Sequence, residues 1–120
     1  MIAHVILFAP RQDLHEAQRL EILDAFRAAA EAATTVRSVR MGRRVRHGLP
    51  GYESAMRDDF EYLAILEFDD VDGLKTYLQH PAHGAAGRHF SASAAAALAY
   101  DYTVVSPGEL AELISAAKND

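Results

Sequence analysis

Two side chains able to share a proton transfer flank a helix break in Tyr77-Leu78-Gln79-His80-Pro81-Ala82-His83. Val71, Leu74, Tyr77 and Leu78 recur at helical spacing, so Tyr77 points with the apolar side chains of a first helix. Pro81 stops that helix, because it lacks an N–H and disfavours the α conformation at His80. Proline also suits the first position of a new helix, which makes His80 an N-cap and puts His83 in the first turn. Ala86, Phe90, Ala94 and Ala97 continue the His83 face. The positive end of a helix dipole disfavours imidazolium, so His83 is expected to be neutral. A neutral imidazole beside a phenol can act as general base next to a hydrogen-bond donor. An inward Tyr and His also suit an inert core, and only their surroundings separate the two cases.

The elements that must position these groups follow from hydrophobic periodicity. Residues 2–8 form an apolar run broken only by His4, as in a strand covered on both faces; alternation puts His4 with Ile2, Ile6 and Phe8. Asp13 and Glu16 read as a capping box for a helix running to about Ala33, with Ile22, Ala25, Phe26 and Ala29 on its apolar stripe; His15 in its first turn is expected to be exposed and idle. Residues 36–46 alternate as a second strand; the basic cluster Arg43-Arg44-Val45-Arg46-His47 could attract an acidic ligand, but a charge-guarded edge strand is the stronger reading. A long loop from His47 to Asp59 precedes a third strand, with Tyr62, Ala64, Leu66 and Phe68 on one face. Asp69 or Asp70 caps the Tyr77 helix. The helix after Pro81 is expected to run through Ala94–Ala97, and the last strand to span 99–105. Ser106-Pro107-Gly108-Glu109 then starts a short helix with a stripe of Leu110, Leu113, Ile114 and Ala117, which needs its own domain or a partner subunit to pack on.

The order β-α-β-β-α-β predicts an α+β, ferredoxin-like sandwich with an antiparallel sheet, over residues 1–106, and a helical extension over 107–120. Strands apolar on both faces point to two copies packed sheet to sheet, a homodimer. A chain of 120 residues is one domain, its net charge of −5 argues against nucleic acid or an anionic membrane, and without cysteines it has no thiol chemistry. No run is long enough to span a membrane, and the N-terminal run does not read as a signal peptide, so the expected location is the cytoplasm.

The opening Ile2–Phe8, the stretch Phe60–Phe68, the Tyr77–His83 block and the closing Asp101-Tyr102 resemble the stress-responsive α/β barrel domain family over about residues 2–105. The resemblance implies a dimeric α+β barrel with a pocket between sheet and helices in each subunit. A similar branch of plant polyketide cyclases implies His83 as catalytic base, assisted by Tyr77, with His4 lining the pocket. That branch has a further histidine on the third strand where this chain carries Tyr62. His4, Tyr62 and Phe90 are therefore the expected substrate-binding residues, with no metal and no cofactor. The expected function is a pocket for a small organic ligand, or a cofactor-independent cyclase-like or isomerase-like enzyme. A metal site built from His80, His83 and His4 or His89 is disfavoured, because Pro81 turns His80 off the helix face and no carboxylate accompanies these residues in sequence.

Overall fold

A computed structural model describes residues 1–116. The elements are β1 (Ile2–Pro10), α1 (Glu16–Ala32), β2 (Ser38–Arg43), β3 (Tyr62–Phe68), α2 (Val71–Leu78), α3 (Pro81–Ala92), β4 (Ala94–Thr103) and α4 (Ala111–Ala116). The sheet has the order β2-β3-β1-β4, antiparallel throughout. This is the expected α+β arrangement, with β2 and β4 at the edges.

Alternation along β1 decides the two faces. Ile6 and Phe8 face α1–α3 and join Phe26, Leu66, Phe68, Leu74 and Tyr77 in one buried core. Phe8 and Phe26 meet edge to face, with ring centroids 5.6 Å apart. His4 lies on this covered face and is 4 % exposed. The opposite face carries Val5 and Leu7, paired across the ladders with Ile65 and Leu63 on one side and with Tyr100 and Leu98 on the other. No helix covers this second face among the described residues; Tyr100 and Tyr102 are about half exposed there.

Several boundaries differ from expectation. Helix α3 stops at Ala92, and Ala94–Ala97 belong to β4. Alanine is the best helix former, but here Ala96 and Ala97 pair with Ala9 and Phe8 of β1, and ladder pairing overrides local propensity. Arg11 fixes the junction, its N–H donating to the Ser93 carbonyl at 2.9 Å and its guanidinium to the Ala92 carbonyl at 3.0 Å. Helix α1 starts later than the Asp13–Glu16 pattern implies. His15 is its N-cap, and Gln18 Oε1 accepts from the His15 N–H at 2.7 Å. Asp13 instead pairs with Arg11 at 3.3 Å. The 47–59 loop turns at Gly48 and Gly51, whose φ angles of 81° and 84° favour glycine. At the C-terminus, a short 3-10 turn at Pro107–Glu109 leads into α4; Ala117 lies outside the described residues.

Phe68 is fully buried against the Tyr77 ring, with centroids 5.6 Å apart. Phe68→Ala is expected to cost about 3–5 kcal/mol of unfolding free energy, read as a lowered urea midpoint. A loss below about 1 kcal/mol would mean that this core is not closed around Phe68.

Candidate functional site

The helix break is built as its residue types require. Helix α2 is capped by Asp70, whose carboxylate accepts from the Gly73 N–H at 2.8 Å, and ends at Leu78. His80 then caps α3, its Nδ1 accepting from the Ala82 N–H at 3.0 Å, with Pro81 at the first helical position. The His80 imidazole is thus held at the backbone. His83 follows in the first turn, its N–H donating to the His80 carbonyl at 3.0 Å.

Three rings converge on one cavity. Tyr77 and His83 meet edge to face with centroids 4.9 Å apart; His4 stands 5.7 Å from Tyr77 and 6.4 Å from His83. The cavity has a volume of about 280 Å³, near the lower end for small-molecule sites. His4, Tyr77, His83 and Asp101 supply its polar groups, and Ile6, Phe26, Leu78, Ala86, Phe90 and Ala99 form its apolar wall.

Asp101 is the member that local sequence reasoning missed. It sits directly opposite His4 across the β1–β4 ladder, and its Oδ1 lies 2.6 Å from His4 Nδ1. A carboxylate only accepts, so His4 donates from Nδ1 and its ring orientation is fixed. The expectation that no carboxylate accompanies these histidines held only for neighbours in sequence. The one signal available was a lone Asp among the apolar and aromatic residues of a final strand.

Tyr62 is not in this group. It pairs with Phe8, four residues along β1 from His4 and roughly 13 Å away, beside Arg19. Phe90 does line the cavity. The basic cluster after β2 is occupied internally: Arg43 pairs with Glu61 at 3.1 Å, Arg44 and Arg46 share Asp59, and His47 lies 3.2 Å from Glu53. Among the described residues no cluster of three or more His, Asp or Glu side chains could hold a metal ion.

Electrostatics separates the two central groups. Burial pushes the Tyr77 phenol up to about 12, so it stays protonated. No described residue hydrogen-bonds its hydroxyl. Burial, and after it the neighbouring His4 ring, push His83 below the ordinary histidine range, while the Leu78 carbonyl and the Asp101 carboxylate pull the other way. His83 is therefore neutral near pH 7, beside an uncommitted O–H donor.

Residues 2–104 match the stress-responsive A/B barrel domain family. The chain belongs to that family. No curated protein matches the sequence. Among solved structures, a hydroxynitrile lyase from Passiflora edulis is similar at 12 % identity with a TM-score of 0.75, covering 87 % of this chain and 93 % of that one. A dimeric ferredoxin-like protein of unknown function from Thermobifida fusca is 20 % identical, with a TM-score of 0.68, covering 86 % and 90 %. A dimeric protein of unknown function with a ferredoxin-like fold from Bacteroides fragilis is 25 % identical, with a TM-score of 0.61, covering 86 % and 95 %. These likenesses establish the ferredoxin-like fold that family members share. No helix among the described residues is long and apolar enough to cross a membrane.

The pH dependence follows from the direction of the His83 shift. An imidazole with a lowered folded pKa binds fewer protons folded than unfolded, so stability rises with pH in that window. Its contribution is present above the unfolded value of about 6.5 and is lost as pH falls below it. Between about pH 7 and pH 5, the wild-type urea midpoint should therefore fall more steeply than that of His83→Gln. Equal slopes would mean that His83 titrates as it does in solvent.

Proposed function

We propose that this stress-responsive A/B barrel protein is a homodimer in which each sheet–helix cavity binds a small organic molecule with an acidifying carbonyl and an apolar or aromatic tail. His83 acts there as a general base without metal or cofactor. The observation that carries this reading is the placement of a neutral imidazole and a protonated phenol ring to ring on one cavity. An inert pair would line no cavity; Tyr77 is packed on Phe68, yet it and His83 both border a cavity with apolar walls.

The chemistry is one proton abstraction followed by the return of that proton. His83 takes the proton α to the carbonyl, and the C–H electron pair moves onto the carbonyl oxygen as an enolate. The Tyr77 hydroxyl donates a hydrogen bond to that oxygen and keeps its proton, consistent with its raised pKa. The imidazolium returns the proton to another carbon of the delocalised enolate, which closes an isomerase-like cycle. Where the enolate carbon instead bonds to a second carbonyl carbon of the same molecule, the C=O π pair moves onto that oxygen and the alkoxide takes the proton, which closes a cyclase-like cycle. His4, held by Asp101, positions the polar end of the ligand, and Phe26 and Phe90 receive the tail. Apolar walls with a few fixed polar groups are the ordinary composition of such sites. The open apolar sheet face and the dimeric relatives from Thermobifida fusca and Bacteroides fragilis support the homodimer.

The test needs no known product. Small β-keto and aromatic acids are incubated with the protein in D₂O, and loss of the α-proton signal is followed by NMR. Wild type is expected to accelerate exchange for at least one compound. His83→Ala should lower the exchange rate about a hundred- to ten-thousandfold, and Tyr77→Phe about a hundredfold. Exchange by His83→Ala at the wild-type rate would exclude it as the base. Binding without exchange in wild type would reduce the site to a ligand pocket.

A further inference from the structure

The C-terminal segment lies beyond the family domain and presents its apolar side outward. The family match ends at residue 104, and the chain continues through Pro107–Glu109 into α4. Glu109 and Glu112, both exposed, line an open groove with Met1, Val104 and Val105 of the same chain. The segment also carries Leu110, Leu113 and Ile114, which are 62 %, 39 % and 72 % exposed. A surface helix normally buries its apolar side; here the apolar residues stay open to solvent, as Glu109 and Glu112 do. A helix of six residues has almost no stability without tertiary packing, so an outward apolar stripe of this kind requires a covering surface.

The segment that carries the stripe leaves the domain at the margin of the uncovered sheet face. Along β4, Leu98, Tyr100 and Tyr102 point to that face, and the same alternation carries Val104 there; all four are exposed. Val104 is tied to β1 by its N–H donating to the Met1 carbonyl at 3.0 Å, which fixes where the tail leaves the sheet. The subunit is a slab of 43 × 41 × 20 Å, one sheet and one helix layer thick, with a radius of gyration of 15.8 Å. A chain of this length closed on itself has a radius near 13.6 Å. The shape is that of half an assembly with its projecting parts uncovered.

We infer that the C-terminal helix is a clasp: Leu110, Leu113 and Ile114 dock on a second copy of this chain, at the margin of its open sheet face. Two-fold symmetry makes the contact reciprocal, so each tail extends the sheet-to-sheet interface of the other subunit. The inference rests on the homodimer reading and adds a device specific to the residues after the family domain.

The experiment uses the full chain, which has no cysteine of its own. Ile114→Cys is labelled with a polarity-sensitive fluorophore and followed over a dilution series, with sedimentation velocity on the same samples. The expected result is blue-shifted emission in the dimer that reverts to a solvent-exposed spectrum as the dimer dissociates. Blue-shifted emission that persists in the monomer would place the tail on its own domain and overturn the clasp. Solvent-like emission in a confirmed dimer would overturn it as well. An unlabelled chain that sediments as a monomer at every concentration would instead overturn the homodimer reading, and the clasp with it. In a second arm, Leu113→Asp with Ile114→Asp should raise the dimer Kd at least about tenfold while leaving far-UV circular dichroism unchanged. An unchanged Kd would contradict the clasp with the dimer intact.

Discussion

The break at His80–Pro81 is the constraint on which the site depends. On an unbroken helix, residues six apart are separated by about 9 Å of rise and point roughly 120° apart, so Tyr77 and His83 would look in different directions. Ending one helix at Leu78 and starting another at Pro81 turns the two rings to face each other at 4.9 Å. Proline enforces this twice over, by removing a donor from the first helix and by supplying the preset φ of the second. His80 completes the junction as a side-chain cap. The imidazole nearest the proline is therefore structural, and the one three residues on borders the cavity.

The second constraint is the cross-strand pair of His4 and Asp101. A buried imidazole in an otherwise apolar strand needs a partner, and the edge strand supplies one at 2.6 Å. Because Asp101 is partly open to solvent, its own desolvation cost is small, while His4 is held in one orientation beside His83. A polar and an apolar half of the cavity thus follow from two register positions on one ladder: His4 opposite Asp101, and Ile6 opposite Ala99. β1 is one of the two inner strands of the sheet, paired on both sides, so the site is anchored inside the sheet and not at its edge alone.

What was legible in the sequence was local. The helix break, the N-cap role of His80, the alternation of β1 and β3 and the β-α-β-β-α-β order all rest on short-range rules, and the family resemblance shares those residues. What was not legible was pairing between distant segments. Ala94–Ala97 carry strong helix propensity, yet they become strand because β1 offers an unpaired ladder. Asp101 is distant from every histidine in the chain and meets His4 only through register. Tyr62 was placed in the pocket by correspondence along the third strand, but the ladder puts it at the far end, opposite Phe8. The charged loop after β2 is polar enough to suggest a ligand, and only the folded chain matches each of Arg43, Arg44, Arg46 and His47 to its carboxylate.

The central claim is that His83 is a neutral imidazole in an apolar cavity beside a protonated Tyr77. The most direct measurement is a long-range ¹H–¹⁵N correlation spectrum of the imidazoles in the uniformly labelled protein, recorded as a pH titration with His4 and His83 assigned by substitution. The account predicts that His83 shows the two unequal nitrogen shifts of one neutral tautomer at pH 7 and titrates below the ordinary histidine value of about 6.5. Two equivalent, protonated nitrogens on His83 at pH 7 would contradict it, because an imidazolium cannot take the proton from a substrate.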